Sequence, residues 1–483
     1  MKRERIVIIG AGIGGLTTGL LLSRLGFDVT VVDKNKTPGG LIRGFTRSGI
    51  YCPVGNHFFG GAAPGETLHT LWSALGVFDR IRLEAVHPGE PVCRMAFEDF
   101  VFDYPLGIEA FIETLRDRFP DHCGAVDEID GILKPCARWI GSMENILSGP
   151  PGDIPFLMPL LEWMDKIGCP PPLKRILSMP GNLVGVDLEK IPLSLYMTTL
   201  ASYLQSCFRP KTTGIMFADI FCDRIRASGG KVLTEAPVSE IRTRGRAVTG
   251  VTVHPRGPIE ADAVISTVHP KATLAFLPED CRPKRFQTRI ENLKNTQSAF
   301  AVYALADSKA ARPGKYPVFI SEMDDTLFGK TRFFQTWETP DSKKHLVSVI
   351  EPDEPGNWRK WENTFTGHRG ENYEKQKSLR AKKLLERVSQ AGMDAGAARI
   401  IAAFTPLTVR DWVDSPGGSI YGVMHSFDQT LKIMLLQRPP IKGLYFSGQS
   451  LVAPGILGTG IGALTTVRQL VGPDRLEKLF DIG

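Results

Sequence analysis

An apolar run, Ile6-Val7-Ile8-Ile9, meets Gly10-Ala11-Gly12-Ile13-Gly14-Gly15; a helix-forming stretch follows, and a second run, Val29-Thr30-Val31-Val32, ends on Asp33. Few folds accept this order. Gly10 permits a tight strand-to-helix turn, Gly12 lets a pyrophosphate approach the backbone, and Gly15 lets the helix pack closely on the strand. The N-terminus of that helix offers free N–H groups and a partial positive charge to phosphates. Asp33, about 20 residues further on, is placed to accept ribose hydroxyls. The pattern predicts an α/β, Rossmann-like unit that binds a dinucleotide through Gly10, Gly12, Ile13, Gly14, Gly15, Asp33 and the adjoining Lys34.

The rest of the composition bounds what surrounds this unit. A chain of 483 residues, 42% hydrophobic and 23% charged, is ordinary for a globular protein and too long for one simple core. The net charge of +6 comes without a Lys/Arg block, so a nucleic-acid groove is not expected. Eight cysteines are scattered with no CxxC pair, which points away from zinc, from any other metal and from dithiol chemistry, and toward a reducing cytoplasm. Lys2-Arg3-Glu4-Arg5 followed by apolar residues is reminiscent of a secretory leader, but glycines interrupt the apolar stretch and Asp33 completes a nucleotide fold. No segment offers the run of apolar residues that a spanning helix needs. No serine occupies a GxSxG elbow, which argues against a hydrolase.

Along the chain two kinds of segment interleave. Residues 66–210 read as helices broken by prolines, with an apolar stretch from Ile154 to Leu183 that is either a helical core or a greasy face toward a substrate tunnel or a bilayer. Near Gly214 a helix to Ala227 and Ser228-Gly229-Gly230 return to the nucleotide style. A hairpin follows, with Val238, Glu240 and Arg242 on one face and Arg244-Gly245-Arg246 as its turn, and then a buried strand at Ala261–Ser266. Residues 290–435 form another layer, with strands near Ala299–Ala306 and His345–Ile350 and a charged helix near Glu371–Gln390. The Trp358/Trp361 pair reads as packing. Two discontinuous domains are expected: 1–65, 211–285 and 436–483 for the nucleotide, and 66–210 with 286–435, a mixed sheet plus helices, for the substrate.

Gly39-Gly40 downstream of Asp33 makes the site look like one for a flavin rather than a nicotinamide. Together with Gly10–Gly15 it resembles the FAD fingerprint of the glutathione-reductase-2 type flavoproteins. The end of the chain narrows the resemblance. Gly443-Leu444-Tyr445-Phe446-Ser447-Gly448-Gln449-Ser450 with Pro454–Thr459 is similar to the C-terminal flavin motif of the phytoene desaturase, carotenoid isomerase and retinol saturase group. So are Thr405–Thr408 with Ser419–Gly422, and Gly49, Gly55-Asn56-His57 and Gly60. Four positions depart from the group's usual pattern: Leu41 stands for an arginine (Arg43 follows), Pro53 for an aspartate, Thr212-Thr213 for a glycine pair, and Gln449 for an acid.

The resemblance implies an FAD-dependent oxidoreductase that desaturates, saturates or isomerises carbon–carbon double bonds of an apolar polyene or isoprenoid by hydride transfer at flavin N5. It extends the cofactor set to Gly39, Gly40, Leu41, Gly55, Asn56, His57, Val238, Gly448, Gln449, Gly455, Ile456, Gly458 and Thr459. Read physically, glycines at 455–462 let the backbone lie against a flat ring, and a helix N-terminus there stabilises negative charge on it. His57 and Tyr421 are the candidate catalytic side chains; His57 either handles a proton or holds its loop, and Tyr421 and His425 either face the flavin or pack. Tyr203, Arg209 and Lys211 read as a solvated loop. No second GxGxxG appears, so a quinone, dioxygen or a protein is the expected electron partner, and a membrane surface is a candidate partner of a cytoplasmic, peripheral protein. The rival readings are an amine oxidase of the same fold and a flavin-free prenyl-lipid carrier of the escort and GDP-dissociation-inhibitor type.

Overall fold

The computed structural model describes residues 4–150, 158–307, 316–322, 330–393, 395 and 397–480. Its centre is a five-stranded parallel sheet in the order Leu444–Phe446, Ala263–Ser266, Arg5–Ile9, Asp28–Val32, Lys231–Leu233. Ile8 lies between Val31 and Ile265. Both faces of this sheet are covered, which is why its strands are unbroken apolar runs and not alternating ones. The helix Ile13–Arg24 packs on it so closely that a Cβ at Gly19 would sit 2.9 Å from Val31 Cγ2. The helix Gly455–Val471 lies beside it, and Thr18 Oγ1 of the first helix meets Ser447 Oγ, just past the strand Leu444–Phe446, at 2.9 Å.

The hairpin forms as Val238–Arg244 with Ala247–Val253 and adds a third antiparallel strand, Gly257–Glu260. Its faces differ from expectation. The register shifts between Val238 and Glu240 and again between Arg242 and Thr243, so Val238 and Ile241 are the buried pair while Glu240 is exposed. A bulge inserts a residue and rotates the rest of the strand to the other face.

The second sheet is mixed and seven-stranded, in the order Arg399–Phe404, Ser298–Asp307, Lys344–Asp353, Lys330–Glu338, Val318–Glu322, Pro91–Ala96, Val101–Pro105. Its last two strands come from the stretch read as helical. They begin or end on proline, pair with each other as an antiparallel hairpin, and join the sheet only because Pro91–Ala96 pairs in parallel with Val318–Glu322, more than two hundred residues away. Helices such as Ile108–Arg118, Cys123–Ile140 and Leu193–Gln205 make up most of the rest of 66–210. Of the apolar stretch at 154–183, Ile154, Phe156 and Leu157 lie outside the described residues; Leu160, Trp163, Met164, Leu173, Ile176 and Leu177 are buried in the core. Helix Gly370–Gln390 covers the sheet's outer face, where Arg380 reaches Glu351 at 2.9 Å and Asp353 at 2.8 Å and lies over the ring of Phe300; Trp358 stacks on that ring too. Among the described residues, no helix is long and apolar enough to cross a membrane.

Candidate active site

A cavity of about 440 Å³ lies between the carboxyl ends of the parallel strands and the inner face of the mixed sheet. Strand ends of an open parallel sheet are where ligands bind in such folds, because helix N-termini and loops converge there.

One end is built by backbone. Gly10 (φ +100°) turns the chain and donates its N–H to Val32 O at 2.8 Å. A Cβ on Gly15 would lie 1.9 Å from Gly10 O, and one on Gly14 would lie 2.8 Å from Gly448 Cα. A Cβ on Gly12 would meet nothing within 4 Å: this glycine borders open space and not a neighbour. Gly39 N–H donates to Ala11 O at 2.7 Å, so the two glycine motifs are tied together. Asp33 is buried; its Oδ2 accepts from Ala11 N–H at 2.7 Å and its Oδ1 from Asn35 N–H at 2.8 Å, which fixes the carboxylate and leaves a lone pair on each oxygen. Lys34 is held by Asp411 O at 2.9 Å and by the Asp414 carboxylate at 2.7 Å. From the far end of the chain Gly448, Gln449, Gly455, Ile456 and Thr459 join the wall. Neither the helix Ile13–Arg24 nor the helix Gly455–Val471 has a side-chain cap, so both present unsatisfied N–H groups at this cavity.

The cofactor residues expected from the sequence are thus brought together, with two exceptions. Gly10, Gly12, Ile13, Gly14, Asp33, Lys34, Gly39, Gly40, Leu41, Gly55, Asn56, His57, Val238, Gly448, Gln449, Gly455, Ile456 and Thr459 all line the cavity. Gly15 and Gly458 do not. They stand one layer behind, where a Cβ would strike Gly10 O or, at 2.6 Å, Ala453 Cβ.

The other end is built by side chains. Phe58 packs against Tyr203 (ring centroids 5.0 Å), and Phe319 against Phe333 (5.4 Å), with Leu183 and Tyr421 completing the wall. His57 lies 4.7 Å from the Phe333 ring; its Nε2–H donates to Val54 O at 3.1 Å and its Nδ1 is buried without a partner. Burial pushes its pKa down to about 4, so the ring is neutral with a bare acceptor. Asn56 beside it is 6% exposed, and neither its amide nitrogen nor its amide oxygen has a partner. Buried amides are rarely left so, and a group aimed into a cavity in this state fits a bound molecule that is itself a donor and an acceptor. The Tyr421 hydroxyl donates to Asn182 O at 3.2 Å, and burial pushes its pKa up to about 12. His425 is absent from the wall; its Nε2–H donates to Gln449 O at 2.8 Å, so it braces the Gln449 backbone from behind. Tyr203 lies on the helix Leu193–Gln205 and in the wall, not in a solvated loop; Arg209 is half-buried, and only Lys211 is exposed, paired with Glu84 at 3.0 Å. Leu183 ends the apolar stretch for which a tunnel-facing surface was one of the two readings, whereas Phe58, Phe319 and Phe333 were not singled out in the sequence and reach the cavity through tertiary packing.

Residues 8–75 match the pattern of the NAD(P)-binding Rossmann-like domain, and residues 182–462, more than half of the chain, match that of the flavin containing amine oxidoreductases. The chain belongs to that flavoprotein family. Within it, the protein is a flavin-dependent oxidoreductase similar to retinol saturases along nearly its whole length and to carotenoid desaturases over a shorter stretch. It is similar to the all-trans-retinol 13,14-reductase of Danio rerio, at 23% identity over 95% of this chain and 84% of that one. A hydroxyneurosporene desaturase of Rubrivivax gelatinosus is 40% identical over 17% of this chain and 13% of its own. Among solved structures, a putrescine oxidase superposes with a TM-score of 0.66 at 13% identity, covering 99% of each chain, which shows that this flavoprotein shares the α/β flavin fold with its mixed-sheet substrate layer.

Proposed function

We propose that the protein binds FAD along the glycine-lined end of the cavity and acts at the aromatic end on the carbon–carbon double bonds of an apolar polyene or isoprenoid, by desaturation, saturation or isomerisation. One observation carries the substrate reading. Among the described residues, the only acidic side chains in the cavity wall are Asp33 and Asp414, both at the glycine-lined end, where backbone N–H groups and Lys34 hold them. The aromatic end gives a cationic amine no carboxylate, whereas Phe58, Phe319, Phe333 and Leu183 give a hydrocarbon chain a wall without a desolvation cost.

The residues fit the cofactor: the open space at Gly12, the two uncapped helix starts and the unpartnered amide of Asn56 suit a molecule with a pyrophosphate and a polar ring edge. Asp33 and Val238 would hold its ribose and adenine end, and Gln449 its neutral linker. A bound flavin supplies a two-electron acceptor or donor at its N5. The chain's own part is then to orient and to exclude water. Asn56 offers a donor and an acceptor, His57 offers Nδ1 as an acceptor while its Nε2–H pins it to Val54, and Tyr421 stays neutral as a wall. The strand contributions support a division into a flavin domain of 1–65, 211–285 and 436–483 and a substrate domain of 66–210 and 286–435. A quinone, dioxygen or a protein would complete the electron balance.

The test is extraction of the native protein followed by mass spectrometry. FAD together with a polyene is the expected result. A colourless protein without a flavin absorption band would overturn the enzyme reading, and a flavin with only amine turnover would overturn the substrate. His57→Ala is expected to slow turnover of the polyene while flavin content holds; an unchanged rate would remove His57 from the reacting centre.

A further inference from the structure

Four of the nine large apolar side chains that stand exposed among the described residues fall within nine positions of one another: Phe427 (40%), Leu431 (70%), Met434 (58%) and Leu435 (41%). Leu431, Met434 and Leu435 are the outer face of a helical stretch, Thr430–Met434 continued by Leu435–Gln437, at the spacing that puts side chains on one face, and Phe427 stands on the turn Phe427–Gln429 that leads into it. The inner face is anchored, since Ile433 and Leu436 are buried in the core under the parallel sheet. The patch is held rigidly. Gln429, fully buried, donates to Met424 O at 2.7 Å and accepts from Lys294 N–H at 2.6 Å, and Phe427 N–H donates to Lys190 O at 2.9 Å.

Along the segment that carries the patch cations predominate, while at its Phe427 edge Lys190 stands beside Asp187 and Glu189. Between Tyr421 and Gly443 the only acid is Asp428, neutralised by Lys294 at 2.7 Å. Lys432 and Arg438, which flank the apolar face, form no ion pair among the described residues. Apolar side chains rimmed by free cations suit an anionic lipid surface, into which the former insert while the latter meet headgroups. The patch also continues a segment of the cavity wall. Tyr421 lines the cavity, His425 braces Gln449 of that wall, and Phe427 begins the patch two residues later.

We propose that the face formed by Phe427, Leu431, Met434 and Leu435 with Lys432 and Arg438 docks the protein on an anionic bilayer. The inference rests on the apolar-substrate reading only in its purpose, which is to draw a membrane-dissolved molecule toward the cavity without passage through water.

Purified flavin-loaded protein is sedimented with vesicles of phosphatidylcholine alone and with vesicles carrying phosphatidylglycerol. The expected result is binding that needs phosphatidylglycerol, weakens with salt, and falls at least about tenfold in Leu431→Glu/Met434→Glu while flavin content and melting temperature hold. Leu379→Glu, at an exposed leucine on the helix Gly370–Gln390, is expected to change nothing. Absence of wild-type binding, or binding equal in the double variant, overturns the proposal. So does a protein that is dimeric by sedimentation equilibrium and becomes monomeric in the double variant, which would make the face a contact between two copies. If the double variant loses vesicle binding but neither protein turns over any polyene, in vesicles or in detergent, the docking surface stands and the substrate reading falls.

Discussion

At the scale of the residue, glycines that look equivalent in the sequence do different physical jobs. Gly15 is needed by the fold, because a Cβ there would overlap Gly10 O; at Gly12 a Cβ would enter open space, so the fold makes no such demand and only a bound molecule would. Gly15→Ala is therefore expected to cost about 2–3 kcal/mol in unfolding measurements, as overpacking does. Gly12→Leu is expected to leave the apoprotein's melting temperature unchanged and to abolish flavin retention, read as loss of the yellow absorption band after gel filtration. The glycine positions were legible in the sequence because backbone sterics are local. Asn56 was legible as a cofactor candidate, but its unpartnered amide was not, since a missing partner is a property of everything around it. Phe319 and Phe333 were illegible for the related reason that strand register decides which face a side chain takes.

At the scale of the element, the parallel strands and their helices were readable because each is long, periodic or punctuated by glycine. The strand Leu444–Phe446 and the helix Gly214–Ala227 form with the boundaries that their sequence suggests. Pro91–Ala96 and Val101–Pro105 were not readable, for the hairpin they form carries proline at both ends and joins its sheet through a strand far along the chain, and the bulges after Val238 defeated simple alternation. The helix Pro406–Val413 shows how an element reaches the site. Thr405 caps it together with Thr408 in a capping box, Tyr373 Oη meets Thr405 Oγ1 at 2.8 Å, and Trp412 and Val413 at its other end line the cavity. Thr405→Ala is expected to lower stability by about 1–2 kcal/mol and to weaken flavin affinity as well; a stability loss with unchanged affinity would separate the cap from the cavity wall.

At the scale of the whole molecule, three buried histidines tie stability to pH. His57, His269 and His425 are each pushed down to about 4 by burial, and His269 Nε2–H is committed to Asn295 Oδ1 at 2.8 Å. The unfolded chain takes up protons on these rings below about pH 6.5 while the folded one does not, so their contribution is fully present above that pH and is lost as pH falls toward 4. The melting temperature is expected to drop progressively across this window, and His425→Gln is expected to make the drop shallower. A variant curve parallel to the wild type's would show that His425 takes no part in it.

Gly14 against Gly448 and Thr18 against Ser447 are contacts between residues separated by most of the chain, the second by 429 positions. On a ribosome that distance is a delay. At about 5–20 residues per second, the glycine-lined end of the cavity waits roughly 20–90 s for its other half. Until then the first helix has a free face and the cavity lacks one wall. The flavin is thus expected to be captured only after Gly455–Thr459 has emerged from the exit tunnel. Chains stalled before Leu444 would carry no flavin fluorescence, however well their first strands had folded.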